Sequence, residues 1–356
     1  MSSDQIKYFK KADGLRFVLQ QRFDEAREEF PHGPRDFLSI YKNIESYLNE
    51  NVHPNTVLGA AINGDGLLND HGPDHVAMVV QRAGLILDGV EDQLIGYELF
   101  LLLLAIHFHD VGNVGGRDGH ERRIFEIMES QGDHIPIENE EKEIVSKIAM
   151  VHGGHTDTGD KDTISKLNPS ESVQGISIRP RVLAAILRFA DEIADETSRA
   201  NRYFKGESLL PKSRIYHEYS RVLQPANIKG DALLLKFKLP VGFVSEKLSK
   251  GSKEKIGEIE YIYLYDEILG RLGKCLNELE YCAKYAAGLI RINVISVNIS
   301  VRKPKSLDDA FSDAFRMELS GYPNRGSDNV ADLAKPGVRA RSGEELQELL
   351  RQEDDE

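Results

Sequence analysis

The stretch LFLLLLAIHFHD, residues 99–110, decides the fold. Its first part, Leu99 to Ile106, is the longest apolar run in the chain and lies within a segment, Glu91–His109, that reads as a helix apolar on every side. Such a helix belongs at the centre of a bundle. The run is far short of the roughly 20 residues that span a bilayer, so no membrane segment is expected. At its end stand two groups that do not belong in an apolar interior, His109 and Asp110. A buried carboxylate beside imidazoles is costly unless it is paired or holds a metal.

Working outward, Pro73 fits the first position of a helix that carries His75, Val79, Ala83 and Ile86 on one face. After Asp110 a glycine-rich turn, Gly112 to Gly119, leads to a helix beginning near His120. Glu138 to Val151 reads as another helix, ended by Gly153-Gly154. Pro180 opens a strongly amphipathic helix with Leu183, Ile186, Leu187, Ala190 and Ala194 on its buried face, and Asp191 shares that face four residues beyond Leu187. Residues Asp4–Val52 also have helical periodicity, broken into two helices by Pro31, Gly33 and Pro34.

Beyond Tyr203 the pattern changes to alternation. A hairpin is expected, with a first strand over about Arg214–Leu223 and a second from Ile228 to Leu239. A long helix from about Glu254 to Ala286 and a β-branched strand, Ile290–Val301, follow. The last residues, from about Arg325, are polar and read as a disordered acidic tail with a short helix near Glu344–Leu350. The expected fold class is therefore mainly α. An N-terminal helical segment (1–54) precedes a helical bundle (55–205), an α+β appendage (206–324) and the tail (325–356).

Histidines mark the bundle as more than a scaffold. Eight of the 11 fall between His71 and His155, where an even spread would place roughly three. One inward-facing histidine is ordinarily a hydrogen-bonded core residue. His75, His109, Asp110 and Asp191 are four ligand-type residues on buried faces, and a shared metal explains them together.

The ordered set His75-x-x-x-Val79, His109-Asp110-Val-Gly and Leu187-Arg-Phe-Ala-Asp191 resembles the motifs of the HD-domain metal-dependent phosphohydrolase superfamily, over roughly residues 55–205. The resemblance implies an HD-type helical bundle in which His75, His109, Asp110 and Asp191 hold a divalent metal. In two-metal members, two further histidines between the doublet and the last Asp hold a second ion, with the doublet's Asp bridging. His120 and His152 match that order, with His155 in reserve; the other reading makes them hydrogen-bonding groups around a single metal. Mixed histidine and carboxylate donors suit manganese, iron, magnesium or zinc. His71 is read as a loop histidine or a partner of a ligand, and His107 as packing.

The same resemblance implies hydrolysis of a phosphoester or phosphoanhydride by a metal-activated hydroxide, with Asp110 as the central catalytic carboxylate. Phosphates also need cations. Arg117, in the glycine-rich turn, is the preferred catalytic and phosphate-binding candidate, followed by Arg122, Arg123, Arg199 and Arg202. Position 113 is Asn, where cyclic-dinucleotide phosphodiesterases of the HD-GYP type usually have Lys and many dNTP triphosphohydrolases have His. Gly116-Arg117, His120-Glu121 and Leu-Arg-Phe-Ala-Asp-Glu look closer to HD domains of bacterial conflict and defence proteins.

Composition narrows the partners. Lys and Arg total 45 against 58 Asp and Glu, a net charge of −13 that disfavours broad nucleic-acid binding while allowing a local basic groove. A small phosphorylated substrate of nucleotide type is expected, with no membrane partner and with a homodimer left open. A single-strand nuclease and a non-catalytic nucleotide-binding scaffold are the alternative functions. Cys275 and Cys282 are seven residues apart, about 10 Å along a helix and too far for a disulfide. The N-terminus, MSSDQIK, lacks the pattern of a secretory signal, so the cytoplasm is the expected compartment.

Overall fold

The structure is a computed structural model that describes residues 14–56, 72–116, 119–156, 158–195, 213–251, 258–303, 309–319, 327 and 329–354. These fall in two compact units. The first comprises the described residues up to 194 together with 281–291, and the second comprises the rest from 195 onward.

The first unit is helical: α1 (Gly14–Glu25), α2 (Phe37–Asn51), α3 (Pro73–Leu87), α4 (Gly96–Phe108), α5 (Ile124–Ser130), α6 (Asn139–Met150) and α7 (Pro180–Glu192). Every residue of α4 is buried, as its uninterrupted apolar sequence requires. The 20-residue stretch Gly96–Gly115, which passes as a membrane span by length and composition, is 89% buried inside the protein.

Helix α4 starts later than its sequence pattern implies. Glu91–Gln93 form a separate 3-10 turn, and the helix begins where Gly96 donates its N–H to the Glu29 carboxylate (2.5 Å). A Cβ on Gly96 would lie 2.4 Å from the Phe30 ring, so only glycine admits that side chain. The N-terminal helices are therefore part of this unit, not a separate segment. Phe37 packs edge-on against Tyr97 and Phe100 (5.6 and 5.2 Å between centroids), and Arg35 forms a two-pronged ion pair with the buried Glu141 of α6.

Residues from the end of a distant helix complete the unit. Tyr281 accepts the N–H of Ile164 through its hydroxyl (2.9 Å), while the Arg188 guanidinium of α7 lies 4.6 Å over its ring. Tyr285 donates to Asp162 (2.8 Å), and Arg291 donates to the carbonyl of Asp88 (2.5 Å). A small hairpin, β1 (Glu171–Val173) and β2 (Ile176–Ile178), precedes α7.

The second unit is the α+β part. It contains α8 (Arg214–Val222), β3 (Asn227–Lys229), β4 (Ala232–Pro240), β5 (Lys247–Gly251), β6 (Ile259–Tyr263), most of α9 (Leu264–Tyr285), β7 (Val294–Arg302), β8 (Asp309–Glu318), α10 (Val330–Leu333) and α11 (Gly343–Asp354). A four-stranded sheet has the order β3-β4-β7-β8, with β4 and β7 parallel and the other pairs antiparallel; β5 and β6 form a separate ribbon.

Three expectations are corrected here. Arg214–Leu223 is not a strand: Ile215, Tyr219 and Val222 are buried at helical spacing, and the hairpin is instead β3 to β4, turning at Gly230 with φ +63°. The helix expected from Glu254 begins only at Leu264, because Ile259–Tyr263, rich in aromatic and β-branched residues, pairs with β5. The tail from 329 to 354 is folded. Lys335 exchanges backbone hydrogen bonds with Arg316 of β8, Tyr265 donates to the carbonyl of Ala340 (2.9 Å), and α11 buries Leu346.

Candidate metal centre

Four helices and one 3-10 turn of the first unit deliver six donor side chains to one place. His75 comes from the first turn of α3, one residue after Asp74 and two after the Pro73 that starts the helix. His109 and Asp110 follow the last residue of α4, His120 opens the 3-10 turn before α5, His152 follows α6, and Asp191 is in the last turn of α7. His75 and His109 are fully buried, and the Asp191 side chain, 27% exposed, is the most open of the six.

The Asp110 carboxylate is the hub. Its Oδ2 lies 3.5 Å from His75 Nε2 and 3.2 Å from His109 Nε2, while its Oδ1 lies 3.4 Å from His120 Nε2 and 3.8 Å from His152 Nε2. Asp191 Oδ1 approaches the first pair, 3.2 Å from His75 Nε2 and 3.7 Å from His109 Nε2. Two donor groups result, His75/His109/Asp110 and Asp110/His120/His152, each with its ligand atoms mutually within 4.8 Å.

His109 and His152 are aimed by one device. Each stands just beyond a helix and donates Nδ1–H to the carbonyl three residues back, His109 to Ile106 and His152 to Ala149, both at 2.7 Å. Those carbonyls lie in the last turn of their helices, where the regular helical bonding ends. The bond occupies Nδ1 and leaves Nε2 facing Asp110, the nitrogen that would take a metal once it is deprotonated. His120 is held by a carboxylate, its Nδ1 lying 3.1 Å from Glu121 Oε2.

Electrostatics distinguish the two histidines. Burial lowers the His109 pKa, but the Asp110 carboxylate, with Asp191 behind it, outweighs burial and holds the group up at about 9. His152 is pushed down to about 4 by burial, with nearby His109 adding to the effect. For Asp191, burial raises the pKa, yet its bond to His75 and the charges of His109 and His75 keep it well below the usual carboxylate range. The donor set suits a hard or borderline divalent cation. Asn113 adds an independent sign of fit: it is fully buried, donates Nδ2–H to Asp110 Oδ1 (2.9 Å), and leaves its own Oδ1 buried with no partner among the described residues. Buried acceptors of that kind are uncommon unless an ion or water completes them.

All six residues expected as ligands thus come together. His155 is exposed and outside both donor groups. Arg123 is not available to phosphate, because its guanidinium donates to the carbonyls of Gly115 (3.0 Å) and Gly116 and so braces the loop after Asp110. Arg122 is exposed. His71, Arg117, Arg199 and Arg202 lie outside the described residues. His107 packs as expected, with Nε2 3.2 Å from the Tyr41 hydroxyl and 3.3 Å from Glu45. Sequence reasoning missed the roles of Asn113 and Glu121. Both are short-range polar neighbours of a ligand, three residues after Asp110 and one after His120, and that spacing was the available signal.

A His, His-Asp, Asp set carried on buried helices of one bundle is the arrangement of an HD-type domain, and its donor groups could hold a divalent metal. The HD-CE family profile matches residues 65–235, and this region is a domain of the HD family. The match continues beyond residue 205, past the motif-bearing stretch 55–205, through α8 and into β4. No curated protein matches the chain.

Proposed function

We propose that this protein is a divalent-metal-dependent phosphohydrolase that cleaves a phosphoester or phosphoanhydride bond of a small nucleotide-type substrate. One observation carries the reading: a single carboxylate, Asp110, offers one oxygen to His75 and His109 and the other to His120 and His152. Such a carboxylate suits a pair of ions. His75, His109, Asp110 and Asp191 would hold the first, and His120, His152 and Asp110 the second. Cations bound there polarise phosphoryl oxygens and make water acidic near neutral pH.

The chain's own residues do the positioning. The carbonyls of Ile106 and Ala149 keep two imidazoles in the ligand tautomer, and Asn113 holds the Asp110 carboxylate from one side. Asp191, the most exposed member, marks the side from which solvent and substrate reach the cluster. Arg122 is the described cation best placed in sequence to meet a phosphate, next to His120 and exposed.

The test is to load the purified protein with manganese, count bound metal and screen dNTPs, NTPs, guanosine polyphosphates, cyclic dinucleotides and single-stranded oligonucleotides for products. Asp110→Ala is expected to lose both metal and hydrolysis, and His120→Ala or His152→Ala to lower the metal count. Full activity in Asp110→Ala would remove the proposed centre. Cleavage confined to oligonucleotides would make it a nuclease, and metal uptake with no turnover of any substrate would make it a binding scaffold.

A further inference from the structure

The chain carries a net charge of −13, yet one face of its four-stranded sheet is basic. Strand alternation explains how. Leu233, Leu235, Phe237 and Leu239 of β4 point inward, and they are joined by Ile295, Val297, Ile299 and Val301 of β7. The intervening residues face outward. They include Lys236 and Lys238 on β4, Lys229 on β3 and Arg316 on β8, all exposed.

The face is open. Asn298 sits in the middle of β7, an interior strand, directly between Lys236 and Ala314 in register, and is nevertheless exposed. Lys229, Lys236, Lys238 and Arg316 make no side-chain ion pair among the described residues. Carboxylates on this side are few. Glu318 is engaged with Lys335 (3.3 Å), and Asp309 stands opposite Arg302 in register. A face that serves only solubility mixes both signs, whereas this one concentrates a single sign on an acidic protein.

We propose that the outward face of the β3-β4-β7-β8 sheet binds the phosphate backbone of a nucleic acid. Lys236 and Lys238 are about 7 Å apart along one strand, and Arg316 lies about 10 Å across the sheet from β4, so the cations form a spread surface and not a point. Ser296, Asn298 and Ser312 between them supply hydroxyl and amide groups of the kind that contact phosphate and sugar. The outward positions hold no exposed aromatic side chain for stacking on bases, so recognition is of backbone and not of sequence. The absence of large exposed apolar side chains there also disfavours insertion into a lipid surface. This property does not depend on the metal centre or on hydrolysis.

The experiment is fluorescence anisotropy of the full chain with a labelled 20-nucleotide single strand of mixed sequence. With about four phosphate contacts, affinity should fall about 50-fold between 50 and 200 mM salt. The double variant K236E/K238E should bind at least tenfold more weakly at 50 mM salt, with unchanged thermal midpoint and metal content. A charge-matched control, K42E/K166E, alters two exposed lysines of the first unit and should change affinity less than twofold. Absence of binding at 50 mM salt, or equal losses in the two double variants, would overturn the proposal. So would stronger binding to phosphatidylserine vesicles that K236E/K238E abolishes, which would make the face a membrane contact.

Discussion

Gly112 lies so close to the backbone of His120 that a Cβ on it would sit 1.8 Å from the His120 carbonyl oxygen. The glycine two residues after Asp110 is what lets the chain fold back and bring the third histidine, His120, to the carboxylate. Its requirement is for space: its φ is not in the left-handed region.

Gly112→Ala should therefore separate the two halves of the centre. The added methyl meets backbone, which cannot rotate away, and overpacking of this kind costs about 1–3 kcal/mol. The expected result is lower unfolding stability in urea and loss of the ion proposed at His120 and His152, with the one proposed at His75 and His109 retained. A metal count equal to wild type would contradict this.

Glu121 makes a finer prediction. Its carboxylate holds His120 through Nδ1 and is packed against the turn at Gly154, where φ is +71° and a Cβ would lie 3.1 Å from Glu121 Oε1. Replacing Glu121 with Ala should weaken binding of the second ion about 10–100-fold, as loss of a ligand's orienting partner commonly does. Glu121→Asp should recover part of the affinity, whereas an effect on folding alone would not track carboxylate reach. Competition with a fluorescent chelator measures both.

The pH dependence of metal uptake follows from His109. Its pKa of about 9 in the ion-free protein lies above the ordinary 6.5, so the imidazolium's stabilising contribution is fully present below about 6.5 and disappears as pH rises through about 9. A cation must displace that proton. Apparent affinity for manganese should accordingly rise with pH, up to about tenfold per unit between 6.5 and 9, and then level off. Titration calorimetry in buffers of different ionisation enthalpy should also detect proton release on binding. A flat profile over that range would contradict the assignment.

Removing the buried Glu141 should destabilise the whole first unit. It accepts from Tyr97 (2.9 Å), from two Arg35 nitrogens (3.0 and 2.7 Å) and from the Glu138 N–H (2.8 Å). Glu141→Ala leaves a hydroxyl and a guanidinium without their acceptor, at a cost of about 3 kcal/mol. Arg35→Ala in the same background should add little. A substantial further loss in the double variant would show that Arg35 acts through something else.

The clustered donor set was legible because each member breaks a local pattern. His75 and Asp191 interrupt apolar helix faces, and His109-Asp110 ends an otherwise uniform apolar run. Such violations are readable without partners. What holds the ligands was harder to see, because the acceptors are backbone carbonyls of Ile106 and Ala149, which any residue offers. The misread segments share a different cause. Arg214–Val222 is nine residues long, and over that length apolar positions satisfy helical and alternating templates about equally. The tail looked disordered by composition, but its order comes from a few long-range contacts, Arg316 with Lys335 and Tyr265 with Ala340, that composition does not record.

Tyr281–Arg291 has a consequence for how the protein is made. The first unit is otherwise complete at residue 194, yet Ile164, Arg188, Asp162 and Asp88 all use partners in this later segment. At ribosomal speeds of roughly 5–20 residues per second, the intervening stretch takes roughly 4–17 s to synthesise. During that interval the nascent bundle, with its histidines already assembled, has a side awaiting its last turn of helix. Chaperones and proteases therefore meet an HD domain whose closing piece is still to come.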